Sequence, residues 1–197
     1  MIAELGDRVV DVAADVADVD AMSAIVARER SLGRRVRGVV HAATVYADEA
    51  VGQLTRSAVT RVMRVKVGGL IALRRATVDE PVDLWVNVGS VSGVLGNAGQ
   101  SGYGGANAVL SASGVGVTVA PGAITDAGYV SRTAELAGAL EGGLSSAVVV
   151  REIERMVMGG VGGVIMPLTH DSVLGGVEGD ARFVELVKMS GERSGSG

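Results

Sequence analysis

Tyr103 lies in a stretch of small and polar residues, GNAGQSGYGGANAVL (96–110), and is one of only three tyrosines in the chain. Asn107 follows four residues later, so the two side chains would share one face if the stretch were helical. A phenol held among polar neighbours could donate a proton in acid–base chemistry. A lone tyrosine among glycines is more often a packing residue. The stretch is therefore either a glycine-rich loop or a site built around the Tyr103 phenol.

Apolar runs typical of β-strands alternate with longer helical patterns along the chain. The candidate strands are RVVDVAA (8–14), RGVVHAA (37–43), VDLWVNVGS (82–90), VGVTVAP (115–121) and GGVIMPL (162–168). The candidate helices cover residues 18–31, 54–78, 103–112, 131–141 and 145–158. This alternation predicts an α/β fold with a doubly wound parallel sheet, whose ligands bind beyond the carboxyl ends of the strands. The candidate site residues therefore follow the apolar runs: Asp15 and Val16, residues 41–44, Ser90 to Ser92, and Pro121 to Asp126.

Composition excludes several classes of function. The chain has 197 residues, which suits one domain, and it has no cysteine, so disulfides and thiolate chemistry are excluded. Two histidines without an acidic cluster predict no metal site. A net charge of −4 with scattered basic residues argues against a nucleic-acid partner. Early charged residues exclude a signal peptide, and polar residues interrupt every apolar run, so we expect no membrane contact and a cytoplasmic protein.

Four segments in this order resemble the ketoreductase domain of type I polyketide synthases, within the short-chain dehydrogenase/reductase superfamily. They are VRGVVHAATV, RVKVGGL, VNVGSVSGVLGNAGQSGYGGANAVL and GAITDAGYV. The last of these, with the closing DARFVELVK, is most similar to the fungal, highly reducing class. The resemblance implies a Rossmann-like domain over residues 1–188, and we expect 189–197 to be a disordered tail.

The resemblance implies an active site of Lys66, Ser90, Tyr103 and Asn107, which follow one another at intervals of 24, 13 and 4 residues. Reduction of a ketone by hydride requires a proton donor for the developing alkoxide, and this general acid would be Tyr103. An ammonium stabilises a phenolate, which is the role implied for Lys66. Ser90 would hold the carbonyl oxygen through a hydrogen bond. Asn107 would anchor a water molecule or the lysine.

The same resemblance implies NADPH as the cofactor and a β-ketoacyl thioester on an acyl carrier protein as the substrate. The product would be the β-hydroxyacyl thioester. Asp15 and Val16 would flank the adenine of the cofactor. The other residues implied to line the cofactor are His41, Ala42, Ala43, Lys66, Tyr103, Pro121 and Gly122.

Family members carry a Leu-Asp-Asp signature tied to one alcohol stereochemistry. The corresponding residues here are Tyr46, Ala47 and Asp48, so only the last position matches. The tryptophan typical of the opposite class would fall at Leu95 and is absent. The sequence therefore weakly favours the alcohol stereochemistry that is tied to the Leu-Asp-Asp signature.

The family holds the phosphates of its cofactor on a glycine-rich turn between the first strand and the first helix. No such turn is found here, since GGVGG (159–163) precedes a strand. We therefore expect an incomplete, N-terminally truncated sheet that lacks the first strand, this turn and the second strand. RGVVHAA would then be an exposed edge, able to self-associate or to dock a partner. The alternative to an active reductase is an inactive remnant or fragment that acts as a binding or assembly module.

Overall fold

The computed structural model describes residues 8–128 and 143–166, which form six α-helices and four β-strands. The strands are β1 (Gly38–His41), β2 (Leu84–Val88), β3 (Val117–Pro121) and β4 (Gly163–Ile165). The helices are α1 (Val19–Ser31), α2 (Arg56–Met63), α3 (Gly69–Ala76), α4 (Ser92–Leu95), α5 (Ser101–Ala112) and α6 (Ser146–Gly159). A π-turn (Arg64–Gly68) joins α2 to α3, so the two form one continuous helix, and a 3₁₀ turn (Val51–Gln53) precedes it.

The four strands form one parallel sheet in the order β1-β2-β3-β4. Each connection between neighbouring strands contains helix, as parallel pairing requires. The register pairs Gly38 with Leu84, Val86 with Val117, and Val119 with Gly163. The predicted α/β class with a Rossmann-like parallel sheet is confirmed, and the carboxyl ends of β1, β2 and β3 come together along one edge.

Helices cover both faces of the sheet. On one face, α6 packs on the central strands through a buried cluster: Val86, Val119, Leu144, Val149 and Ile165. On the other face, α2 and α5 share a second cluster: Ala47, Ala58, Val62, Tyr103 and Ala106. β1 is covered on one face only, since Val39 and His41 are buried whereas Val40 is 62% exposed.

Most predicted elements are present, and one predicted strand is wrong. The RVVDVAA run (8–14) forms no strand, because no neighbouring strand within the described residues offers hydrogen-bond partners. The predicted helix at 54–78 is interrupted by the π-turn, which a 3.6-residue pattern does not reveal. The predicted helix at 131–141 lies outside the described residues. Among those residues, no helix is long and apolar enough to cross a membrane, and no cluster of three or more metal-ligating side chains occurs.

Side-chain caps determine where several helices begin. Asp18 accepts hydrogen bonds from the Asp20 and Ala21 amides at the start of α1. Thr55 caps α2, and Ser145 caps α6 by the same type of bond. Each cap satisfies an amide that has no partner within its helix, which is typically worth about 1 kcal/mol.

Glu80 joins three elements from a fully buried position. Its carboxylate accepts hydrogen bonds from Arg30 Nε at 2.7 Å, Arg35 Nε at 2.8 Å and the Val36 amide at 3.0 Å. Arg30 belongs to α1, whereas Arg35 and Val36 lead into β1. The hydrogen bond from Arg35 is the main reason that the pKa of Glu80 falls from 4.5 to about 2. The carboxylate thus fastens α1 and the start of β1 to the end of α3.

We predict that Glu80→Gln lowers the free energy of unfolding at neutral pH. Because the folded state lowers the pKa of Glu80, its contribution is complete above pH 4.5 and is lost as the pH falls towards 2. Urea unfolding at several pH values should show a difference between native and variant that disappears over this window. Glu29→Gln, which breaks a half-exposed pair with Arg34, is the control and should cost less. Equal losses in the two variants would contradict the prediction.

Candidate active site

Lys66 is buried in the π-turn, with 1% of its surface exposed. Its amine donates a hydrogen bond to the Val88 carbonyl at 2.8 Å. Val88 is the last residue of β2, so the amine lies at the carboxyl end of this strand, two residues before Ser90. Burial lowers the pKa of Lys66 from 10.5 to about 8. A charged group is therefore held, at a cost in stability, where a parallel sheet presents its ligand site.

Tyr103 lies in the first turn of α5, and its ring is buried against α2. The ring packs near Val62 and stacks on Tyr46 with centroids 4.8 Å apart. The Tyr103 hydroxyl makes no hydrogen bond within residues 8–128 and 143–166. In these residues the Lys66 amine bonds to Val88 and not to the phenol. The structure therefore packs the two helices together but does not join the two polar groups directly.

Ser90 begins a chain of polar contacts that crosses from β2 to α5. Its Oγ accepts a hydrogen bond from the Ser92 amide at 3.2 Å and lies 3.3 Å from Ser92 Oγ. Ser92 Oγ donates to Gln100 Oε1 at 3.2 Å, and Gln100 Nε2 donates to Asp48 Oδ2 at 2.9 Å. The chain links the predicted carbonyl-binding serine to Asp48, the one matching residue of the stereochemical signature.

Asn107 is fully buried one turn after Tyr103, as the four-residue spacing predicts. Its Nδ2 donates to the Tyr103 carbonyl at 2.9 Å. Its Oδ1 is buried and has no hydrogen-bond partner within the described residues. A Cβ added at Gly89 would lie 3.7 Å from this oxygen, so the unpaired acceptor faces the carboxyl end of β2. Buried acceptors are nearly always paired, which marks this atom as a place for a water molecule or a cation.

The residues predicted to line a cofactor occupy the same edge but differ in exposure. Asp15 pairs with Arg64 at 2.6 Å and accepts a bond from the Ala17 amide, and this amide bond is the main cause of its lowered pKa. Val16 contacts the helix at Gly69. Ala42 is exposed, Ala43 is half-buried, and Pro121 is buried beside Gly122, whose amide donates to the Ile165 carbonyl. His41 is 1% exposed, so its ring faces the protein interior.

Sequence reasoning placed Ser92 among the candidate site residues, but it did not find Gln100 or the carbonyl of Val88 as parts of this site. Gln100 carried a signal, since it is a long polar side chain in a segment of small residues. The carbonyl of Val88 carried none, because any residue type supplies one. Both depend on how β2 and α5 are placed in space.

Gly104 and Gly105 follow Tyr103 on α5, and the space around the two glycines differs. A Cβ at Gly104 would lie 2.8 Å from the Ser92 carbonyl oxygen, whereas a Cβ at Gly105 would meet nothing within 4 Å. We predict that Gly105→Ala raises the free energy of unfolding by about 1 kcal/mol, through helix propensity. Gly104→Ala should lower it, because the helix must move away from Ser92. Urea unfolding of both variants tests this, and equal stabilisation would contradict it.

Comparisons with known proteins agree on one family. The family model described as KR domain matches residues 1–116, which include Lys66, Ser90, Tyr103 and Asn107. A phenolphthiocerol synthesis type I polyketide synthase of Mycobacterium marinum is 38% identical over 109 residues, which cover 55% of this chain and 5% of that protein.

Two solved structures are similar in fold. A ketoreductase from the first module of phoslactomycin biosynthesis in a Streptomyces species has a TM-score of 0.67 and 31% identity, covering 75% of this chain and 36% of that one. An A1-type ketoreductase has a TM-score of 0.74 and 25% identity, covering 85% of this chain and 38% of that one. The chain thus spans a small part of its curated relative and little more than a third of each structure. The Mycobacterium and Streptomyces relatives are bacterial, so similarity to the fungal class is not confirmed.

Proposed function

Because this chain belongs to the KR domain family of polyketide synthases, we propose that it reduces a β-ketoacyl thioester to a β-hydroxyacyl thioester. The substrate would be carried by an acyl carrier protein, and NADPH would be the hydride donor. The observation that carries the proposal is the buried Lys66 amine, held 2.8 Å from the Val88 carbonyl at the carboxyl end of β2. Its helix packs against α5, which carries Tyr103 and Asn107. A cytoplasmic location remains a prediction from the sequence.

The described residues fit the reactive end of a nicotinamide cofactor. The Val91 amide donates to the Pro121 carbonyl, so the ends of β2 and β3 lie side by side. The unpaired Oδ1 of Asn107 faces this edge and can accept a hydrogen bond there. Pro121 and Gly122 would support the nicotinamide ring, and Asp15 and Val16 would flank the adenine. No Gly-x-Gly-x-x-Gly turn follows a strand within residues 8–128 and 143–166, so we assign the cofactor phosphates to no residue.

The bound cofactor would supply a hydride to the carbonyl carbon, which leaves negative charge on the carbonyl oxygen. Ser90 Oγ would hold this oxygen by donating a hydrogen bond, as an oxyanion stabiliser does. Tyr103 would transfer its phenolic proton to the same oxygen, so the product is an alcohol and the residue is left as phenolate. The Tyr103 hydroxyl is suited to this step because it is not committed to another partner within the described residues.

Lys66 and Asn107 would support the phenolate. The amine of Lys66 is carried by the segment that packs against α5, and it has donors beyond the one that bonds to Val88. Asn107 holds the Tyr103 carbonyl through Nδ2 and offers its free Oδ1 to a water molecule or to the lysine. Proton return to Tyr103 would follow through these groups.

Titration of NADPH against the full chain, followed by cofactor fluorescence, tests the proposal. We expect saturable binding at micromolar concentrations, and consumption of NADPH when a β-ketoacyl thioester is added. An absence of saturable binding below millimolar NADPH would overturn the assignment. The comparisons give no support to the alternative of an inactive remnant.

The exposed edge of β1 favours a second property, which is docking of a partner strand. Val40 is 62% exposed, and β1 pairs on one side only within the described residues. Unpaired backbone groups at such an edge are a template for another chain. Light scattering of the full chain checks this: we expect self-association that Val40→Lys reduces, and a monodisperse monomer would contradict it.

A further inference from the structure

His41 makes a buried contact with the backbone of Lys66 that the chemistry above does not use. It is the last residue of β1, and its Nε2 lies 2.9 Å from the Lys66 carbonyl oxygen. A carbonyl oxygen can only accept a hydrogen bond, so Nε2 must carry the proton. Nδ1 is buried without a partner within the described residues, which fits a neutral ring. Burial also lowers the pKa of His41, and this favours the same neutral form of the ring.

The carbonyl that His41 contacts belongs to the π-turn. Here the Gly69 amide meets the carbonyls of Arg64, Val65 and Lys66, so the five-residue step of a π-helix occurs beside the four-residue step of a regular α-helix. A side chain that enters the backbone ladder is one cause of a local departure from regular helix geometry. The imidazole of His41 is the side chain that meets the ladder at Lys66.

Gly69 gives the imidazole the room to reach the helix. A Cβ at this position would lie 2.9 Å from His41 Cε1 and 3.0 Å from Val16 Cγ1. Since real Cβ atoms essentially never approach that closely, the close contact of β1 with the helix depends on glycine. The glycine at position 69, the close packing around it and the hydrogen bond to the Lys66 carbonyl therefore all favour a fixed position for the His41 ring.

The two contacts of Lys66 fix it at both ends. Its carbonyl is held by His41 on β1, and its amine is held by the Val88 carbonyl on β2. We propose that His41 is a positioning residue that holds the π-turn in place and thereby aims the Lys66 amine at the carboxyl end of β2. The role in turnover rests on the proposed function, whereas the position of the lysine does not. His41 acts through Lys66 and touches no reacting atom.

The full chain has only two lysines, Lys66 and Lys188, so carbon-13 labelling of lysine gives two Cε signals. Lys188→Arg assigns them. We expect the Lys66 signal to titrate at about pH 8 in the native protein. In His41→Leu, which keeps the volume and removes the donor, its midpoint should move upward because the amine is no longer held in the interior. His41→Gln, whose Nε2 can replace the donor, should restore the native midpoint.

A folded His41→Leu variant with an unchanged Lys66 midpoint would overturn the proposal. Nitrogen-15 spectra of the native imidazoles provide a test that needs no change at His41, with His170→Gln assigning the two histidines. An Nε2–H tautomer at His41 is expected, and an Nδ1–H tautomer would overturn the proposal even if His41→Leu does not fold.

Kinetics separate this proposal from the function on which it rests. If the native chain reduces a β-ketoacyl thioester, His41→Leu should lower kcat by about 10- to 100-fold with little change in KM, as expected when a reacting group is misplaced. His41→Gln should recover most of kcat. If the native chain does not turn over at all, the proposed function fails, while both spectroscopic tests still judge the positioning role.

Discussion

The chain with Tyr103 replaced by phenylalanine should reduce a β-ketoacyl thioester about 10²- to 10⁴-fold more slowly than the native chain. The reason is that the substitution removes only the proton donor of the proposed reaction. The phenol makes no hydrogen bond within the described residues, and its ring packs in an apolar cluster that phenylalanine fills equally well. Stability should therefore change by no more than about 0.5 kcal/mol. NADPH consumption and urea unfolding measure the two effects.

Tyr46→Phe is the matched control for this experiment. The Tyr46 ring is stacked on Tyr103 at 4.8 Å, so the control removes a hydroxyl from the neighbouring ring and keeps the proposed acid. We expect its turnover to stay within about tenfold of the native rate, a much smaller loss than that of a general acid. If Tyr103→Phe retained as much activity as Tyr46→Phe, another group would have to supply the proton.

The fold could be predicted largely from the sequence because its signals are local. Four apolar runs became strands, and the helical patterns at 18–31 and 145–158 are present as α1 and α6 with nearly the predicted bounds. The predicted strand at 8–14 is wrong for a reason that no local pattern contains, which is the lack of a neighbouring strand in the part of the chain that the structure describes. Strand formation depends on a partner, whereas a capped amphipathic helix carries most of its own signal.

The site could be predicted in its residue types but not in its contacts. The resemblance named Lys66, Ser90, Tyr103 and Asn107, and the structure places the Lys66 amine, Ser90 and Asn107 around the end of β2. The lysine bonds to a backbone carbonyl from within the π-turn, and a π-turn leaves no trace in a hydrophobic pattern. The roles of these four residues remain predictions, which the variants described here test.

Replacing Lys66 with methionine should abolish turnover and at the same time stabilise the fold. Burial lowers the pKa of Lys66 from 10.5 to about 8, so at pH 7 the folded chain holds a charge that the interior disfavours. Lowering the pKa of Lys66 from 10.5 to about 8 corresponds to a cost of about 3 kcal/mol to the folded state with the lysine charged. Loss of the hydrogen bond to the Val88 carbonyl costs about 1 kcal/mol, which offsets part of the gain in stability. We therefore expect a net gain of about 2 kcal/mol in the free energy of unfolding at pH 7.

The pH dependence of the free energy of unfolding distinguishes removal of the buried charge from a change in packing. Below pH 8 both states of the native chain bind the proton and the full penalty applies, whereas between pH 8 and 10.5 only the unfolded state binds it. The native chain should therefore gain stability as the pH rises through this window, and the advantage of Lys66→Met should vanish by about pH 10.5.

Arg61→Met, which removes an exposed charge from the same helix, should change stability by no more than about 0.5 kcal/mol. A destabilised Lys66→Met variant at pH 7 would mean that the amine is held by favourable contacts, and a pH-independent gain would mean that packing is the cause. The predicted pattern is what a lysine kept for its chemistry requires, since the charge weakens the fold at the pH at which it is needed.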